Sequence, residues 1–413
     1  MANTANERLH ALDAVRGFAL IAGIVFHATV SFLPSPSGVP LWIVTDTHPS
    51  LTLGVLFRVL HTFRMTTFFL IAGFFAHMSF HRRGARSFVA DRVKRIAVPL
   101  LVGWPIIFAV IVAVTIWAAV SMAHGRPLPP APKYPGFPAF PLTHLWFLYV
   151  LLWLYVSTLV LRAIVVRLDR AGRVGKATDL AVRWLATNPA GLLVLAVPTA
   201  AALTMTPHWL PWGGIPTPDS SLVPNLPAGV AYFSAFAFGW LAHRQADLLA
   251  AWRRRWPVNL ALGAGCLAAV FAVSGLAPTL APPSTLGALA IAATAYAVGA
   301  WSLTFAVIGL ALRYLDGFSP ARRYVADASY WLYIVHLPLV MALQVMVAPL
   351  DWPWPVKFAV ILGVGFPLMF ASYQLLVRHS FIGAILNGPR ESRSGARKAA
   401  KAALAAAPQS AQL

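Results

Sequence analysis

Acidic residues are scarce. Asp and Glu number 12 in a chain of 413 residues, and all charged residues together make up 11%, against roughly 25% in ordinary globular domains. So few charges cannot coat a water-soluble fold. None of the twelve acids falls in the middle of an apolar stretch, which counts against a proton- or sodium-coupled carrier, since these need a carboxylate at depth. Cysteine is almost absent: Cys266 alone excludes a disulfide scaffold and reads as a packing residue. A P-loop, a dinucleotide fingerprint, HExxH and CxxC are all missing, so neither nucleotide hydrolysis nor a bound metal is expected. Strand-like alternation is missing too, which excludes a β-barrel. No clear internal repeat is visible, and this weakens an inverted-repeat transporter reading.

Apolar residues are what the chain has. They make up 59% of it, with 25 Phe and 15 Trp, and the mean hydropathy is +0.71. A helix needs about 20 apolar residues to cross a hydrocarbon core. Ten stretches qualify: 12–33, 51–80, 96–120, 143–167, 185–206, 227–243, 257–276, 285–312, 328–348 and 355–377. The expected fold is all-α and polytopic, about ten transmembrane helices with both termini cytoplasmic. The second stretch is too long for one span, so Leu51–Leu60 is expected at the interface or re-entrant. The fifth is interrupted by Asn188, Pro189 and Pro198.

Basic residues test that count. Of 32 Lys and Arg, 26 fall in alternate loops or the tails and three (Arg126, Lys133, Lys357) in the intervening loops, while Arg16, Arg58 and Arg64 lie within spans. That bias follows the positive-inside rule and explains the net charge of +20 without nucleic acid as a partner. Three segments are expected: a cytoplasmic stretch 1–11, a membrane domain 12–380, and a basic, disordered cytoplasmic tail 381–413 near anionic lipid.

An ionisable group at membrane depth is costly, and so each is a functional candidate. Arg16 and His27 are eleven residues apart, three turns, which returns them to one helix face about 16 Å apart. Gly23 shares that face, and Asp13 precedes Arg16 by one turn and can hold its guanidinium. A snorkelling arginine with a histidine bonded to the backbone is the plainer alternative. The second stretch carries Arg58, His61 and Arg64. Arg64 cannot neutralise, so it needs an anionic partner: a substrate group, or Asp46 nearby. His144-Leu-Trp146-Phe-Leu-Tyr149 opens the fourth stretch, where Trp and Tyr commonly anchor at the interface. Tyr330-Trp-Leu-Tyr333-Ile-Val-His336-Leu-Pro338 lies in the ninth, where a histidine beside proline commonly patches a freed carbonyl.

Together these tracts resemble the integral-membrane acyltransferase family 3, in its glucan-biosynthesis branch, over residues 8–380. The resemblance rests on Leu12-Asp13-x-x-Arg16-Gly17 with ten residues before His27, and on Phe63-Arg64-Met65 followed by Phe68-Phe69-Leu70-Ile71-Ala72-Gly73-Phe74-Phe75. It continues through His144-Leu145-Trp146-Phe147-Leu148 and Tyr333-Ile334-Val335-His336. Ala72 departs from the serine usual in the family. The resemblance implies transfer of an acetyl- or succinyl-like group from cytoplasmic acyl-CoA, a co-substrate rather than a resident cofactor. The acceptor it implies is a hydroxyl of an envelope glycan or glycolipid, in a bacterial-type inner membrane. His27 would be the general base or a transient acyl carrier, and Arg64 would meet the thioester oxyanion or an anionic substrate group. Arg16, Arg92 and Arg95 would hold the coenzyme phosphates. Asp13, His61, His144, Trp146, Tyr333 and His336 are supporting candidates. The rival reading is a lipid or polysaccharide flippase-like transporter; a scaffold subunit is a third.

Overall fold

The computed structural model describes residues 2–123, 136–245 and 247–388, with side chains from His10 onward apart from Ser37. Arg126, Lys133 and the basic tail from 389 lie outside the described residues. Thirteen α-helices follow one another: α1 (Ala2–Thr29), α2 (Leu51–Arg83), α3 (Ala85–Arg92), α4 (Val98–Ala123), α5 (Trp146–Leu168), α6 (Arg173–Thr187) and α7 (Gly191–Thr204). Then come α8 (Leu226–Ala242), α9 (Leu248–Ser274), α10 (Leu286–Tyr314), α11 (Pro320–Val347), α12 (Trp354–Ser372) and α13 (Phe381–Asn387). Among the described residues the β-structure is one isolated bridge, Ala139 to Ser221.

The chain is an all-α, multi-pass membrane protein. Among the described residues seven helical runs are long and apolar enough to cross a membrane, eight if the bent pair α6–α7 counts as one span. One of these runs, Leu51–Ala123, covers 73 residues; at about 1.5 Å per residue that is far longer than a single crossing. Nine of the ten expected apolar stretches are helical over most of their length, and the fifth is divided between α6 and α7.

Helix α10 is the most buried of the candidate spans and packs along α9, α7, α2 and α1. Small residues let helices approach closely in a membrane bundle. At the α2–α8 crossing Gly73 lies against the carbonyl of Phe236 and Gly239 against that of Leu70, so a Cβ at either would collide with backbone. Helix α1 sits between α2 and α11, which brings the polar tracts of three distant segments together.

The structure departs from expectation at four places. Helix α2 is unbroken over 33 residues, so Leu51–Leu60 neither lies flat nor re-enters as a separate piece. Its first half is braced from two sides: Arg58 donates to the carbonyl of Pro211, in the loop before α8, at 2.6 Å and to the Ser274 hydroxyl at the end of α9 at 2.8 Å. The basic loop 168–184 is largely the amphipathic helix α6, bent 99° from α7 at the Asn188–Pro189 break. Two ion pairs, Arg183–Asp247 and Arg244–Asp179, each 2.8 Å, tie α6 to the α8–α9 turn. Lys357 is no loop lysine: it lies fully buried in α12 and pairs with buried Asp46 at 2.9 Å. Finally, Phe381–Asn387, expected as the start of the tail, forms helix α13, capped by the Ser380 hydroxyl.

Candidate active site

Two neighbouring cavities lie inside the bundle. The inner chamber, about 50 Å³, is lined by His27, Arg64, His144, Trp146, Tyr333 and His336 among others. Four separate tracts of the sequence supply those six side chains.

Arg64 reaches the chamber because Gly23 lacks a side chain. A Cβ at Gly23 would lie 2.7 Å from a terminal nitrogen of Arg64, so the guanidinium fills the gap on the face shared by Arg16 and His27. It rests on the Phe26 ring, 4.4 Å from the centroid, and its Nε is buried without a hydrogen-bond partner. Among the described residues Arg64 makes no ion pair. Asp46, the candidate partner, is occupied by Lys357, whose Nζ also donates to the Thr47 hydroxyl at 2.9 Å and to the carbonyl of Ala348 at 3.1 Å.

Proline chemistry sets the histidines. Pro338 has no N–H to offer the carbonyl four residues earlier, Ile334. His144 Nε2, on the turn before α5, lies 3.0 Å from that oxygen and donates to it. The expectation that His336 patches the freed carbonyl therefore gives way: His144 does so, while His336 Nδ1 bonds the carbonyl of Tyr333 at 2.7 Å. Tyr333 in turn donates its hydroxyl to the carbonyl of His144 at 2.7 Å. With one nitrogen of each ring spent on a carbonyl, the other carries a lone pair. Those atoms, His144 Nδ1 and His336 Nε2, are buried without partners, as is His27 Nδ1. The His336 ring centroid lies 5.1 Å from that of His27 and 5.1 Å from that of His144.

The second cavity, a vestibule of about 500 Å³, opens toward the arginine-rich end of the bundle. Leu20, Phe68, Phe147 and Tyr333 line both cavities and stand between them. Arg16, Arg92 and Arg95, the three expected anion-binding residues, all line the vestibule, joined by Arg83 and Arg323. Asp13 holds Arg16 at 3.5 Å, as the spacing predicts. Asp91 orders three of the others, pairing with Arg83 and Arg92 at 3.1 Å and with Arg95 at 2.9 Å, while Arg323 pairs with Asp327 at 3.2 Å. Arg95 stands on a π-helical turn, Val93–Ala97, whose wider winding shifts the side-chain register between α3 and α4. Tyr330 fixes that turn by donating to the carbonyl of Arg95 at 2.5 Å.

His61 is not in the chamber. Its ring stacks with Phe57 and Phe26, centroids 5.7 and 5.4 Å away. Trp146, expected as an interfacial anchor, is buried and stacks on Tyr232 with centroids 5.7 Å apart. Sequence reasoning missed Arg83 and Arg323, counted only as topology signals, and it missed Gln344. That glutamine is fully buried beneath His27; a primary amide in an apolar helix was the available signal. Among the described residues no group of three or more His, Cys, Asp or Glu is arranged to hold a metal ion.

A family model described as an acyltransferase domain matches residues 9–374. Curated relatives that match include the glucans biosynthesis protein C of Shigella dysenteriae serotype 1 (strain Sd197) and that of Escherichia coli (strain SMS-3-5 / SECEC). Each is 33% identical over 101 residues, which is 24% of this chain and 25% of the relative. The match thus spans about a quarter of the relatives' length. No solved structure matches the chain.

Proposed function

The chain belongs to the acyltransferase domain family whose model covers residues 9–374, and from that premise we propose that it moves a short acyl group from acyl-CoA to a hydroxyl of a glycan or glycolipid. The observation that carries this reading is the adjacency of the two cavities, which share Leu20, Phe68, Phe147 and Tyr333 in their linings. An arginine-walled vestibule of about 500 Å³ lies beside a chamber of about 50 Å³ lined by histidines and by Arg64, which makes no ion pair among the described residues. Guanidinium groups bind phosphate oxygens in a bidentate way. Arg16, Arg92 and Arg95, with Arg83 and Arg323, would hold the coenzyme's phosphates. The acyl-bearing arm would pass between Leu20, Phe68, Phe147 and Tyr333, and the small chamber favours a short acyl group.

In the chamber, His27 takes the proton of the acceptor hydroxyl as its oxygen attacks the thioester carbon. Negative charge moves to the carbonyl oxygen, where Arg64 stabilises it. The carbon–sulfur bond then breaks, the oxygen ester remains, and the coenzyme thiolate takes the proton from His27. His144 Nδ1 and His336 Nε2 are acceptors by tautomer, and they suit a substrate with neighbouring hydroxyls to donate. By the positive-inside rule the vestibule faces the cytoplasm, the side where acyl-CoA is made, and the membrane is a bacterial-type inner membrane.

The test is release of coenzyme thiol by purified protein given acetyl-CoA, with and without a glucose oligosaccharide. Acceptor-dependent release supports transfer; none, with the oligosaccharide instead crossing liposomes, would support the flippase reading. Arg92→Ala with Arg95→Ala should raise the donor KM and leave kcat near normal. An unchanged KM would leave that cluster as a topology signal only.

A further inference from the structure

The last turn of a helix leaves four carbonyls without intrahelical donors, and α1 ends at Thr29, just after His27. Its orphan carbonyls are satisfied one by one. The Thr29 hydroxyl donates back to Phe26 at 2.7 Å. Farther on, the backbone N–H groups of Asp46 and Ser50 donate to Ser31 and Phe32, each at 2.8 Å. The carbonyls of His27 and Ala28 accept from another helix. They are met by one side chain from α11: Gln344 Nε2 donates to them at 2.9 and 3.3 Å.

The other end of that amide is also engaged, since Gln344 Oε1 accepts from Trp42 Nε1 at 2.9 Å. Turning the amide over would set its oxygen against two carbonyls and its N–H₂ against an indole N–H, so one orientation is fixed. Gln344 has no exposed surface. The indole of Trp42 sits beside the His27 ring, centroids 6.4 Å apart, with His336 also packed on that ring at 5.1 Å. The loop bearing Trp42 is anchored a few residues on by the buried Asp46–Lys357 pair.

We propose that Gln344 is a positioning residue of the transfer reaction: by holding the backbone of His27 and Ala28 it sets where the His27 imidazole stands in the chamber, and through Trp42 it ties that placement to the loop between α1 and α2. The inference rests on the acyltransferase reading for its kinetic consequence only. In so small a chamber a shift of about 1 Å in the base is enough to cost roughly 100-fold in rate.

The experiment uses the full chain in detergent, with rates taken per folded molecule, acetyl-CoA as donor and a glucose oligosaccharide as acceptor. Gln344→Met keeps the volume and removes every hydrogen bond. Gln344→Glu keeps shape and the Trp42 bond but sets a carboxylate against two carbonyl oxygens. Both should lower kcat by roughly 10- to 100-fold with the donor KM within about twofold. Trp42→Phe should cost much less. Should Gln344→Met fail to accumulate, Gln344→Asn, whose amide is one methylene short of the carbonyls, carries the same expectation. A second readout needs no turnover: carbethoxylation of His27 by diethyl pyrocarbonate, followed by mass spectrometry, should change by at least about threefold in the Gln344 variants. Unchanged kcat, or a fall in kcat with unchanged His27 reactivity, would overturn the proposal. A wild-type protein that transfers nothing counts against the acyltransferase substrates, and His27 reactivity then decides this inference by itself.

Discussion

Arg64 is the residue on which the electrostatics of the chamber turn. A guanidinium this deep, with Asp46 already committed to Lys357, is held by a ring face and by space left at Gly23. That space can be removed without touching any polar group. In Gly23→Ala the new methyl meets the far end of a flexible side chain, so the helix can stay in place while Arg64 moves. Displacing a donor from a developing oxyanion costs up to about 100- to 1000-fold. Gly23→Ala should therefore lose roughly 10- to 100-fold in kcat with an unchanged melting temperature. Activity within threefold of wild type would show that the observed pose of Arg64 is not the working one. Arg16, His27 and Gly23 share one face of one helix, which is why the sequence makes their association legible. His144 and His336 are a different case. They meet because Pro338 strands a carbonyl that a residue 190 positions away then satisfies, and no local period carries that information.

Among the elements, the loop between α1 and α2 and the start of α12 are joined by a buried ion pair that hydropathy alone hides. Lys357 looks like a loop cation because it sits three residues into a helix that opens with Trp-Pro, yet it has three oxygen acceptors around it. Removing one member of such a pair leaves an uncompensated buried charge and costs about 3–5 kcal/mol, whereas replacing both by apolar residues is often neutral. Lys357→Met should thus lower thermal stability strongly, and Asp46→Leu with Lys357→Met should restore most of it. Equal melting temperatures for the single variant and wild type would mean that the pair is solvated. Helix boundaries were legible wherever apolar length decided them. The amphipathic helix α6 was not, because its charged face reads as a basic loop until the period of its apolar residues is followed. The π-helical turn at Arg95 was not legible either, since nothing in Val-Lys-Arg-Ile-Ala marks an extra residue per turn.

For the whole molecule, the proposed orientation, with the vestibule on the cytoplasmic side, rests on the alternation of basic and uncharged loops in the sequence. Single cysteines at Gly38, Ser220 and Pro282 should react with an impermeant thiol reagent added to intact cells, and those at Gly84, Gly175 and Ala250 should not. Labelling at Gly84 from outside would invert the arrangement and place the arginine-walled cavity away from acyl-CoA. The central claim is narrower: His27 moves the proton in an acyl transfer from coenzyme A to a hydroxyl. Its most direct test is the rate at which purified protein moves a labelled acetyl group from acetyl-CoA to a glucose oligosaccharide, wild type against His27→Gln. Glutamine can satisfy a backbone carbonyl but cannot accept a proton at neutral pH. Removing a general base costs about 100- to 10,000-fold, so the account predicts a loss of at least about 100-fold with expression and melting temperature unchanged. Transfer by His27→Gln at more than about a tenth of the wild-type rate would contradict it.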